Sequence, residues 1–164
     1  MTEQTLFADT ILTCESDYVL AQNLIIAQAQ NELLIFDQDL KRGDFASVTR
    51  YDLFNKFLSA YPQSKLTMVL HSTDYFSACC PRLCELLRVY SHKMTIMLTN
   101  EHAKVAKDCF IIADKQYYIR RIHIDQARFK FSLNDVATAS ALQQRFNELL
   151  DETSYTLPAT QTGL

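Results

Sequence analysis

Cys79, Cys80 and Cys84 lie close together, with His71 before them and His92 after them. Thiolate and imidazole are the ordinary ligands of zinc, so the grouping raises a metal site. The spacing speaks against one. There is no paired C-x-x-C, and Cys80 and Cys84 share a helical stripe with Leu83 and Leu87, where thiols pack as small hydrophobes. No metal is expected. Cys109 has Lys107 beside it, the setting that favours a thiolate, yet it opens an apolar run and reads as a core residue. Asp37, His71 and Asn100 each close a strand-like segment, and in an open α/β sheet ligands gather at the carboxyl ends of parallel strands. The bland alternative is that these three cap loops or helices.

Charge is segregated along the chain. From His102 to Lys130 there are seven Lys or Arg and three Asp, a local balance of +4 in a protein of net charge −3. Tyr117, Tyr118, Arg120, Arg121, His123, Arg128 and Lys130 interleave aromatic and basic groups, as single-stranded nucleic-acid surfaces do. Alternation along a strand sends half of them to each face, so a solvated face competes with a binding face. The overall acidity excludes a protein that grips nucleic acid with its whole surface.

The glycine count restricts the chemistry further. Gly43 and Gly163 are the only two, each in a loop-like or terminal stretch. A Walker A loop and a G-x-G-x-x-G turn both need glycines for close approach of backbone amides to phosphate, so neither can exist here. The nucleophile elbow G-x-S-x-G is excluded on the same ground. No cofactor is expected. The odd number of cysteines, five, and an N-terminus with neither positive charge nor an apolar run point to free thiols in the cytoplasm. The apolar segments are of strand length, far below the ~20 residues that span a bilayer, so no membrane insertion is expected.

The elements that must position these residues follow from periodicity. Helical spacing runs from Glu15 to about Gln30, from a T-x-x-D start at Thr49 to Tyr61, and from Pro81 to Tyr90. Strand-like runs cover Glu32 to Asp37, Lys65 to His71 and Lys93 to Leu98. This alternation implies parallel strands joined by crossovers. Three further strands, Asp108 to Asp114, Tyr117 to Ile124 and Arg128 to Leu133, follow with short turns and are expected to be antiparallel. Asn134 or Asp135 caps a last amphipathic helix carrying Val136, Ala139, Leu142, Phe146 and Leu149. The expectation is one α/β domain over residues 1–153, with a mixed sheet and helices on both faces, and an aperiodic, flexible tail over residues 154–164.

This order of elements, with Cys109-Phe110-Ile111-Ile112-Ala113-Asp114-Lys115 and the run from Phe129 to Leu150, resembles one repeat of the phospholipase D superfamily. It is similar to bacterial domains of unknown function that look like degenerate members of it. The resemblance implies a layered phospholipase D-like fold and the motif H-x-K-x-x-x-x-D, in which histidine attacks phosphorus and lysine neutralises phosphate oxygens. His102 and Lys104 supply a pair two residues apart, which on a strand would leave one face. The aspartate position then falls on Cys109, with Asp108 one residue early and turned to the other face. Matching Asp114 to the aspartate instead puts Lys107 at the histidine position and Cys109 at the lysine position. Neither register completes the motif.

Three functions compete. The first is a non-catalytic phospholipase D-like module that binds an anionic ligand, nucleic acid or a protein partner. Its ligand-binding candidates are Lys104, Lys107, Arg120, Arg121 and His71. The second is a homodimeric phosphodiesterase or nuclease using His102 and Lys104. The third is a structural or scaffold subunit.

Overall fold

The computed structural model describes residues 6–159, a seven-stranded sheet with helices on both faces. The order β6-β5-β4-β1-β2-β3-β7 puts β1 (Glu32–Asp37) at the centre. β2 (Lys65–Leu70) and β3 (Met94–Thr99) run parallel to it on one side. β4 (Cys109–Ala113), β5 (Tyr117–Arg121) and β6 (Phe129–Ser132) form an antiparallel meander on the other. The mixed sheet expected from the sequence is therefore present.

Both faces of the central strands are covered, which is why their sequences are apolar without a break. On one face Leu33, Ile35, Met68, Ile96, Ile111 and Ile119 pack under α1 (Glu15–Gln28), α2 (Val48–Ala60) and α4 (Pro81–Val89). On the other, Leu34, Phe36, Val69, Phe110, Ile112 and Tyr118 pack under α5 (Val136–Leu150) through Leu142, Phe146 and Leu149. Adjacent residues of β1 and β4 go to opposite cores, as a period of two requires.

Three details differ from the sequence reading. α2 is capped by Ser47, whose hydroxyl accepts from the Arg50 amide at 3.1 Å, so it starts before the T-x-x-D signal. A short helix, α3 (Asp74–Cys79), precedes α4, with Phe76 as its buried anchor; six residues are too few to show a period. β5 ends at Arg121, and the segment to Ile124 turns away from the ladder.

The expected tail is the largest correction. Thr153–Thr156 forms β7, antiparallel to β3, and Leu157 is buried behind it. An edge strand needs only its backbone bonds, so it carries no apolar signature. The opposite edge is flanked by the N-terminal segment, with Asp9 donating to Phe131 and Leu12 exchanging bonds with Phe129. Residues 160–164, the rest of the expected tail, lie outside the described residues, as does Gly163.

Candidate functional site

A cleft of about 520 Å³ opens at the carboxyl end of β1, where three loops meet. Gln38, Lys41 and Arg42 come from the loop after β1, Lys107 from the segment before β4, and His123 and Asp125 from the turn after β5. Because β4 lies antiparallel beside β1, the start of β4 and the end of β5 arrive at the same end as the close of β1. Topology, not sequence spacing, gathers these charges.

Next in sequence to residues that line the cleft lies a buried polar cluster. Asp37 is 2% exposed; its Oδ1 accepts from the Gln38 amide at 2.6 Å and from the Cys109 thiol at 3.2 Å. Burial raises the Asp37 pKa to about 6, against the lowering effect of these two hydrogen bonds. Burial, and then the neighbouring Asp37, push the Cys109 thiol far up, so it is an un-ionised donor and no nucleophile. Across the ladder from Cys109 stands Arg121, with a fully buried side chain. Its guanidinium makes a two-pronged pair with Glu15 at 2.8 and 2.7 Å, donates to the carbonyls of His123 and Ile124, and lies over the Tyr18 ring. Burial works against its charge, and Glu15 more than offsets this.

The wall formed by residues 38–47 rests on a second buried arginine. Arg50 is 0% exposed and donates to Asn23 and Gln22, with its guanidinium 4.4 Å over the Phe45 ring. Among the described residues it pairs with no carboxylate, and its Nη1 has no partner. Burial lowers its pKa to about 10, so it stays charged at neutral pH. Gly43, at φ +91°, packs directly on the Gln22 amide, where a Cβ would stand 2.2 Å from Oε1. Leu40 and Asp44 also adopt positive φ, so the wall has a defined and unusual path.

The sequence candidates scatter. Lys107 alone of the five ligand-binding candidates lines the cleft. His71 is half-buried between Thr99 Oγ1 and the Ala106 carbonyl, both at 2.7 Å. A carbonyl only accepts, so Nε2 carries the proton and Nδ1 accepts from Thr99. Burial holds the ring's pKa below its usual value, making it a neutral clamp on the loop before β4. Asn100 serves that same loop by accepting from the Ala103 amide, while Asp37 accepts from Gln38 and Cys109. Arg120 points to the α5 face, where it and Arg145 hold the buried Asp108 at 3.2 and 2.6 Å. The basic and aromatic run is thus divided between two faces, with Tyr118 and Arg121 buried.

His102 and Lys104 stand on a 3₁₀ turn (His102–Val105), not on a strand. Residues two apart on such a turn do not share a face. His102 pairs with Glu152 at 3.1 Å and Lys104 with Glu101 at 2.9 Å, and only His102 lines the small cleft beside α5. β4 carries Cys109 and runs up to Asp114, while Lys107 stands before the strand. Asp114 itself accepts from the amides of Gln30, Asn31 and Glu32 and so fastens the α1–β1 connection. Among the cysteines, Cys80 and Cys84 are in the core while Cys79 is exposed. Lys41, Arg42, Arg50 and Glu15 were missed by the sequence reading; the one signal was Lys41-Arg42 standing directly before an internal glycine.

A family model described as Domain of unknown function (DUF7931) matches residues 15–158. The chain belongs to that family. No curated protein matches it. Among solved structures, it is similar to Nuc from Salmonella typhimurium, a phospholipase D family member, at TM-score 0.58 and 10% identity over 88% of this chain and 96% of that one. NucT from Helicobacter pylori matches at TM-score 0.59 and 11% identity, with the same 88% and 96% coverage. TrmBL2, an archaeal chromatin protein described as showing a novel mode of DNA binding, matches at TM-score 0.63 and 15% identity. That match covers 93% of this chain, which spans about half of TrmBL2, 55%. The chain shares a phospholipase D-like fold with Nuc and NucT. Among the described residues, no helix is long and apolar enough to cross a membrane.

Proposed function

We propose that this chain is a non-catalytic, cytoplasmic phospholipase D-like module that holds an anionic ligand in the cleft at the carboxyl end of β1. The observation that carries the reading is Lys107. Its ammonium has no ion-pair partner among the described residues, and it lines a cleft to which Lys41, Arg42 and His123 also contribute. Arg42 is only loosely held, at 3.4 Å from Glu15, so its guanidinium can turn to a ligand at little cost. The carboxyl end of a parallel strand is also where open α/β sheets bind ligands.

Two features favour binding over phosphodiester hydrolysis. In the register that ends on Asp114, Cys109 at the lysine position donates to the buried Asp37, and Lys107 at the histidine position is no nucleophile when charged. His102 and Lys104, the other register's pair, are tied to separate carboxylates.

The test is a titration of the isotope-labelled chain with inorganic phosphate, followed by amide shifts. Residues 38–42, Lys107 and His123 are expected to move together, and Lys107→Glu should abolish the response while leaving the spectrum folded. Shifts absent from that region, or unchanged in Lys107→Glu, would remove the reading. Hydrolysis of a generic phosphodiester that is lost in His102→Ala would support the enzyme instead.

A further inference from the structure

The lining of the cleft also indicates what kind of anion fits, a step that rests on the anion-binding reading above. A site for a bare polyanion would be walled by cations alone. Here Asp39 and Asp125 stand among them. Asp39 is only partly committed: Oδ1 accepts the Lys41 amide at 3.0 Å, and Oδ2 lies 3.9 Å from the Lys41 ammonium. Asp125 has one long pair, 3.9 Å to His123, and its side chain is 75% exposed. Gln38 adds a third acceptor. Its Nε2 is spent on the carbonyls of Ala106 and Asp108, which fixes the amide, and no protein donor among the described residues reaches its Oε1.

Three cations beside three available acceptors suit a ligand that carries both a multiply charged anion and several hydroxyl donors. We infer that the cleft takes a small phosphomonoester on a polyhydroxylated skeleton, with the phosphate on Lys107 and Arg42 and the hydroxyls on Gln38, Asp39 and Asp125. A phosphomonoester carries about −1.5 to −2 at neutral pH, enough to engage two cations at once. The size agrees: about 520 Å³ falls within the ~300–1,000 Å³ of ordinary small-ligand sites.

A nucleic-acid strand fits poorly. Sequence-tolerant strand binding needs aromatic faces for the bases and a run of cations along the backbone. No Phe, Tyr or Trp lines the cleft. Tyr118 is buried under α5, and Tyr117 starts β5 at the opposite end of the sheet. Asp39 and Asp125 would repel a passing strand.

Calorimetric titration of the full chain at one fixed salt concentration separates the cases, with inorganic phosphate, glycerol 3-phosphate, ribose 5-phosphate and a short oligothymidylate as probes. The polyol phosphates are expected to bind about tenfold more tightly than inorganic phosphate, the equivalent of roughly one net hydrogen bond to a charged acceptor. Asp39→Asn with Asp125→Asn should bring that ratio close to one while leaving or raising the affinity for inorganic phosphate. Equal affinities for phosphate and polyol phosphate in the native chain would overturn the inference but leave the anion site standing. Tighter binding of the oligothymidylate than of either sugar phosphate would overturn it in favour of nucleic acid. Failure of every phosphate species to bind would remove the inference and the anion site together.

Discussion

Asp37, buried next in sequence to Gln38 of the cleft, offers a direct measure of how the end of β1 is built. Its carboxyl is buried, and its pKa is raised from 3.8 to about 6 because ionisation in that setting is only partly repaid by the Gln38 amide and the Cys109 thiol. Below pH 3.8 the group is protonated in both folded and unfolded chains and contributes nothing. Between 3.8 and about 6 the unfolded chain gives up its proton while the folded chain keeps it, so stability falls as pH rises. Above about 6 both forms are ionised and the full penalty is present. A shift of this size corresponds to about 3 kcal/mol.

Asp37→Asn keeps the shape and an oxygen to accept from Gln38 and Cys109, but cannot ionise. Its new amide hydrogens add an offset of about 1–3 kcal/mol if they find no partner, and that offset does not vary with pH. The quantity to read is therefore the stability of the variant minus that of the native chain, from urea denaturation between pH 4 and pH 7.5. It should move in the variant's favour by about 2–2.5 kcal/mol between those pH values, most of it before pH 6.5. A difference that stays flat, or one that moves toward the native chain, would refute the account of Asp37 as a buried and disfavoured carboxylate.

Two other substitutions probe the walls. Gly43→Ala puts a Cβ against Gln22 in a left-handed backbone position, and Gln22 cannot yield freely because it is buried and accepts from Arg50; denaturation should show a loss of about 2–4 kcal/mol, with the cleft's phosphate response weakened as well. Glu15→Gln leaves the buried Arg121 without its countercharge, and since Glu15 is 47% exposed the expected loss is about 1–3 kcal/mol, below that of a fully buried pair. Hydrogen bonding from Arg121 lowers the Glu15 pKa below its ordinary 4.5, so the deficit should be complete above pH 4.5 and shrink as pH falls through the lowered value.

The fold was legible where burial imposes a period. The unbroken apolar run of β1 and the stripe of α5, capped by Asp135 as expected, left little freedom. What escaped were elements that bury little: α3 with a single anchor in Phe76, and β7, whose Thr153-Ser154-Tyr155-Thr156 is held by backbone bonds to β3. The site was less legible for a different reason. Its charges come from three loops distant in sequence, and what joins them is the choice of β1 as the neighbour of β4. The His102 and Lys104 pair had attractive spacing, but spacing has chemical meaning only on a known element, and the turn removes it.

Where the buried polar groups lie adds to what Lys107 supports. Of the buried polar or charged residues among those described, Gln22, Asp37, Gln38, Arg50, Thr99, Asp108 and Arg121 stand in or against the loops at the carboxyl end of β1, and Ser64 and Ser132 lie elsewhere. A domain selected only for stability would replace a buried carboxylate and an arginine without a carboxylate partner by apolar groups, since such replacements are often neutral or stabilising. Here Asp37 and Arg50 are both pushed toward their neutral forms, one from each sign of charge, beneath the same loop. Strain of this kind, confined to one end of an otherwise apolar core, is the expected mark of a place where geometry is held for a ligand rather than for the fold.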